Sequence, residues 1–176
     1  MSNQSGNNIK GGEDRVKCKV LGLFVHPTRN TPVVFIGTED ERIVIPIWIG
    51  FLEAQAILFA WRKITPPRPL TVDLLVSVIA EDLSAAVEEV KIHTLQDGTY
   101  FASLSLVSRG GERKVRDARP SDAIAIALRT HASLTVSQAL QDATAHEQKD
   151  AKALLDFLRL EHEDQDNALQ EEQSLS

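Results

Sequence analysis

The chain has 176 residues, 43% hydrophobic and 25% charged, with a formal net charge of −6; that length fits one domain with tails and allows a substantial core. The longest apolar stretches, such as IVIPIWIGFL, are too short or too interrupted for a transmembrane span and nothing reads as a signal peptide, so a cytoplasmic protein without membrane contact is expected. Cys18 is the only cysteine, which excludes an internal disulfide and a cysteine-rich zinc site.

Residues 1–14 (MSNQSGNNIKGGED) are polar and glycine-rich and are expected to be disordered. From Val16 the pattern becomes β-like, with strands predicted at VKCKVLGLFV, PVVFIGT and RIVIPIWI between the turn-rich segments HPTRNT and EDE. GFLEAQAILFAWRK predicts a helix, ended by ITPPRP; LTVDLLVSVIAEDL predicts a second, with Thr71 as N-cap. VEEVKIHTLQ and TYFASLSLVS flank Asp97-Gly98, a tight-hairpin signal, and ERKVRDA gives another strand. PSDAIAIALRT is apolar over Ala123–Leu128, but its alanines favour helix. Pro120 suits the first turn, and Ser121 or Asp122 can accept from the free N–H groups there. SQALQDATAHE predicts a further helix with Ser137 as cap.

Beyond residue 146, Ala151, Leu154, Leu155 and Leu158 form one apolar helical stripe, and the chain past Glu161 reads as acidic, solvated and frayed. The charge is unevenly spread. Residues 15–140 hold 15 Lys+Arg against 13 Asp+Glu, whereas residues 141–176 hold 3 against 10. The body is mildly basic, compatible with a polyanion partner and equally with an ordinary mixed surface. The expected organisation is a tail (1–14), a domain (15–146) and a C-terminal helix with acidic tail (147–176).

Both halves of the domain read strand, strand, strand, helix, helix. Glu41-Arg42 aligns with Glu112-Arg113, and Ala56-Ile57, Ala60 and Arg62 align with Ala123-Ile124, Ala127 and Arg129, which points to an internal duplication. The apolar density of IVIPIWIGFL and around Trp61 exceeds what one small domain covers, so a homo-oligomer, most simply a dimer, is expected. Trp48 and Trp61 are assigned to the core or to such an interface.

Four blocks, IPIWIGFLEAQAI, PPRPLTVDLL, IHTLQDGTYFASL and DARPSDAIAIALR, in that order and spacing, resemble the bifunctional nuclease family over roughly residues 16–140. The resemblance implies an α+β fold in which duplicated β3α2 repeats share a single barrel-like sheet with helices packed on it. It also implies cleavage of DNA and RNA, and oligomers. The family often carries a histidine where this chain has Val72; if that histidine were a general base, this chain would lack it.

Nuclease chemistry activates a water, stabilises charge on the phosphate and provides for the leaving oxygen, commonly with carboxylates gripping a divalent metal such as Mg and with Arg or Lys on the phosphate. Asp117, Asp122, Glu53 and Asp73 are the catalytic candidates, and Arg68, Arg119 and Ser121 the substrate-binding ones, with Arg116 and Asp97 also in view. Each has a plainer reading. Glu53 and Asp73 suit a helix start whatever the function, Asp97 suits the hairpin turn, and Arg68 suits a salt bridge. The Asp117–Asp122 cluster suits an ion pair and a capped helix as well as a phosphate site. The five histidines show no metal-binding spacing and no catalytic partner nearby in sequence. The function from another class that fits these features is a non-catalytic oligomeric scaffold binding a ligand or nucleic acid.

Overall fold

The structure, a computed structural model, describes residues 15–174, with side chains as far as Glu163; the predicted N-terminal tail lies outside the described residues. Strands β1 (Arg15–His26), β2 (Thr31–Gly37) and β3 (Val44–Trp48) form an antiparallel meander. Helices α1 (Phe51–Trp61) and α2 (Thr71–Ser77) follow, the latter continued by a π-helical turn at Val78–Asp82. A second meander holds β4 (Ala85–Gln96), β5 (Thr99–Ser108) and β6 (Arg113–Ala118), then α3 (Pro120–Thr130). The chain ends with β7 (Ser133–Ser137), α4 (Gln138–Thr144) and α5 (Gln148–Ser174).

All strands share one sheet in the order β3-β2-β1-β7-β4-β5-β6. β1 gives Arg15–Cys18 to β7 and Lys19–His26 to β2, with a bulge between Val20 and Gly22 that bends the strand between its two partners. β7 runs parallel to β4 and joins the two meanders. The expected barrel-like closure does not form by strand pairing: β3 and β6 are open edges. Each is short and leads within two residues into a helix, and the helices, α1 and α3, are what pack together.

Two apolar clusters sandwich the sheet. Ile57 of α1 and Ile124 of α3 are fully buried in the same core as Val34, Ile36, Ile45, Val90 and Ile92. On the other face of the first meander, Val33, Phe35 and Val44 are buried under Ala151, Leu155 and Leu158 of α5. β2 and β3 are therefore covered on both sides, which is why their sequences are continuously apolar and do not alternate. A carboxylate fixes the helix as well. Glu41, at φ 54°, takes Arg159 at 2.8 Å and Lys152 at 2.9 Å, both from α5. α5 runs on to Ser174, past the point where fraying is expected; its Glu, Gln, Ala and Leu content favours helix.

The halves share a strand–strand–strand–helix order, with Ala60 and Ala127 both 4% exposed. The second half departs from the expected order because β7 stands between its two helices. Asp97 and Gly98 take φ 49° and 74°, a left-handed pair that makes the two-residue turn. Ser137 caps α4 as expected, its hydroxyl accepting from the Leu140 N–H. The cap of α2 differs: Leu70 is the N-cap residue, and its N–H donates to Asp73 Oδ2 at 2.9 Å. Cys18 is buried, and burial pushes its thiol up to about 11. Among the described residues no helix is long and apolar enough to cross a membrane.

Candidate functional site

A cavity of about 450 Å³ opens between the two sheet edges. Its walls are the end of β3 with the start of α1, residues 98–101 at the hairpin, and residues 117–121 between β6 and α3. Two helix N-termini thus meet at one cavity. Gly50, the N-cap residue of α1, and Arg119, that of α3, carry no side-chain cap hydrogen bond. Neither Ser121 nor Asp122 caps α3 as the sequence suggests. Pro120 has no N–H, and the first helical bond comes from Ala123 N–H to Arg119 O. The Ser121 and Asp122 N–H groups therefore have no partner among the described residues and stand at a positive helix end.

Arg119 organises the charge. Its Nε and Nη2 reach Asp122 Oδ2 and Oδ1 at 2.8 and 3.0 Å, a bidentate fork, and Nη1 reaches Glu53 Oε1 at 3.0 Å. These carboxylates, Asp122 first, raise the guanidinium pKa further. A guanidinium has five N–H donors; three are engaged here, so two remain, on a side chain 66% exposed. A Cβ at Gly50 would lie 2.4 Å from Glu53 Oε2, so a larger residue there would require the Glu53 carboxylate to shift.

The Asp117 carboxylate lines the same cavity and forms no hydrogen bond or ion pair with the described residues; the ion pairs of the cluster are those of Arg119 with Asp122 and Glu53. Ser121 is buried at the cavity wall. Asp73 and Arg68 are not among the lining residues. Asp73 Oδ1 pairs with Arg129 Nε at 2.8 Å, tying α2 to the end of α3, and Arg129 also donates to Ile64 O. Arg68 is exposed and makes no hydrogen bond or ion pair with the described residues. Val72 is half-buried against the core.

Three aromatic side chains also line the cavity. Tyr100 is half-buried, and burial, with a smaller contribution from Glu147, pushes its phenol up to about 12. Phe101 is 37% exposed. Trp48 is not a core residue but is 38% exposed, with the Arg29 guanidinium 5.0 Å from its ring centroid and His26 tilted against it; Trp61 does pack against the core. Among the described residues no three His, Cys, Asp or Glu side chains group as a metal site. Glu53 is committed to Arg119, so the side chains in place do not fit a preassembled divalent-metal centre.

The bifunctional nuclease domain matches residues 34–149. An uncharacterized protein of Mycobacterium tuberculosis is 39% identical over 123 residues, 69% of this chain and 71% of the relative. The protein named bifunctional nuclease 1 of Oryza sativa subsp. japonica is 31% identical over 108 residues, 60% of this chain and 32% of the rice protein. A bifunctional nuclease of Oryza minuta matches to the same extent.

Proposed function

The chain belongs to the bifunctional nuclease domain family, and from that premise we propose that it hydrolyses phosphodiester bonds of DNA and RNA with broad specificity. The observation that carries this reading is the cluster at the cavity: Arg119 with two donors to spare, and the carboxylate of Asp117, which has no partner among the described residues. In this mechanism Asp117 takes the proton from an attacking water. The spare Arg119 N–H groups and the open N–H groups of α3 hold the phosphate oxygens as charge develops on them. Glu53 and Asp122 fix the guanidinium in place, and the leaving oxygen takes its proton from solvent water. Ser121 adds a hydroxyl at the wall. Asp73 and Arg68, placed elsewhere, have no part in this scheme.

The reading extends to a cytoplasmic homodimer built from a duplicated strand–strand–strand–helix unit. α1 and α2 support the dimer by exposing Leu52 (81%), Phe51 and Leu74. The second reading, a non-catalytic oligomeric scaffold, is favoured by one observation: the carboxylates of the Arg119 cluster are mutually satisfied, as in a structural network.

The test is cleavage of labelled DNA and RNA by purified protein beside Asp117→Asn prepared identically. Cleavage that falls at least about tenfold in the variant, a loss of ~1.4 kcal/mol of transition-state stabilisation, supports the nuclease. Equal traces in both preparations mean contaminating host enzyme and favour the scaffold. Parallel reactions with EDTA and with added Mg2+ test the expected divalent cation, through which no step above is routed.

A further inference from the structure

We propose that the cavity between β3 and β6 is a nucleobase pocket for an unpaired nucleotide, with the strand's phosphates running along β6, so that the substrate class is single-stranded nucleic acid. This rests on the nuclease reading for its chemistry, but it is carried by separate residues.

Trp48, on the edge strand β3, and Phe101, on β5 beside the other edge strand, both border the cavity and are more than a third exposed. Alternation along the strands turns Tyr100 and Ala118 against the core and leaves Phe101 and Asp117 on the other face. An aromatic surface beside cationic groups is what unpaired bases stack on, and every base has a π-face, so stacking tolerates any sequence. That tolerance agrees with broad specificity. In a duplex, neighbouring bases already cover both faces, and a cavity of about 450 Å³ admits one nucleotide but not a double helix.

β6 supplies the phosphate path. It is an edge strand reading RKVRDA, followed by Arg119, and it is exposed along nearly its whole length. Arg113 shares its charge with Glu88 and Lys114 with Glu112, both in open solvent. The Arg116 guanidinium, on the other face of β6, hydrogen-bonds only the Val115 carbonyl among the described residues. At ~3.3 Å per residue, Arg113 lies about 13 Å along the strand from Asp117 at the cavity. At the far side of the cavity, Arg29 rides on Trp48 at 5.0 Å, a cation beside the stacking surface. Cations therefore flank the aromatic cavity along the direction a backbone would take, while Glu53 and Asp117 stand in its wall.

The experiment is binding without cleavage. Trp61→Phe leaves Trp48 as the sole tryptophan. Its emission is titrated with a phosphorothioate single-stranded oligonucleotide and with the same sequence as a duplex. We expect quenching by the single strand, at least about tenfold tighter binding of it than of duplex, and about tenfold weaker binding after Trp48→Ala or Phe101→Ala. Arg113→Ala, on the same face of β6 as Asp117, should lower the slope of log affinity against log salt by about 1. Both aromatic variants are read by fluorescence anisotropy of a labelled oligonucleotide, because Trp48→Ala leaves no tryptophan to report, and Phe101→Ala tests the pocket independently of Trp48. Equal affinity for duplex and single strand, or unchanged binding in both aromatic variants, overturns the proposal. Tight single-strand binding with no cleavage in any preparation supports the pocket and removes the nuclease. Cleavage of duplex and single strand at equal rates, indifferent to both aromatic variants, does the reverse.

Discussion

Arg119 and Glu53 are 66 positions apart in sequence, yet their side chains meet at 3.0 Å, where the N-termini of α1 and α3 come together. If the guanidinium serves the reaction, Arg119→Ala and Asp122→Asn lower cleavage by at least about tenfold, ~1.4 kcal/mol. Melting should barely change, because Arg119 is largely exposed and exposed pairs contribute ~0–1 kcal/mol. A scaffold gives the same small melting change and no difference in cleavage between the variants and the parent. Thermal melts and cleavage rates on the same preparations decide between them.

Asp73 joins a helix cap to a partly buried ion pair with Arg129, both side chains being 20% exposed or less. Asp73→Asn is expected to destabilise the fold by ~1–3 kcal/mol and to leave activity per folded molecule unchanged. Denaturant titration with rates normalised to folded protein checks this. A rate loss at unchanged stability would return Asp73 to the reaction.

The Arg159 and Lys152 hydrogen bonds hold the Glu41 carboxyl down to about 2. A depressed folded value means that the stabilisation is complete above the usual carboxylate range and fades as pH falls from ~4.5 towards ~2. Glu41→Gln should remove on the order of 1 kcal/mol at neutral pH and flatten stability against pH in that acid window. Urea melts of both proteins from pH 2 to 7 measure it.

Leu155 is fully buried between α5 and β2, so Leu155→Ala should cost ~2–5 kcal/mol. Removing residues 164–176, which carry four carboxylates and no Lys or Arg, should leave the buried face of α5 intact. It should also strengthen low-salt binding to polyanions. Calorimetry on both variants and a salt titration with an oligonucleotide test the pair of expectations.

Leu52 is 81% exposed, with Phe51 and Leu74 also open to solvent. Light scattering at tens of micromolar (roughly, above a weak Kd) should report a dimer, and Leu52→Lys should shift it towards monomer. A wild-type monomer would remove the oligomer.

The helix at Pro120 and the Asp97-Gly98 turn were legible because local chemistry sets them. β7 was not. SLTVS is short and buried on both faces, so it shows no alternation, and Ser137 signals the following helix. Its place at the centre of the sheet comes from pairing with β1 and β4, more than a hundred and about forty residues away, which no local pattern encodes. Residue types at the site were legible, as Glu53, Asp117, Arg119, Ser121 and Asp122 all gather there. Their neighbours were not. Trp48 sits in an apolar run that reads as core, and Tyr100 and Phe101 were absorbed into a hairpin strand. A period-2 count along TYFASL, which alternates inward and outward, could have exposed Phe101.

The central position of β7 also bears on how the chain is made. At ~5–20 residues per second of translation, the 89 residues between the ends of β3 and β7 take roughly 4–18 s to appear. Throughout that interval the first meander has been synthesised without the neighbour for its β1 edge, and without α5 over its second face. A nascent chain in that state presents an unpaired strand beside uncovered Val33, Phe35 and Val44, which are conditions for self-association on the ribosome. The late-arriving strand and helix make this a fold that is completed after the fact, and its yield in a cell depends on what shelters the early half.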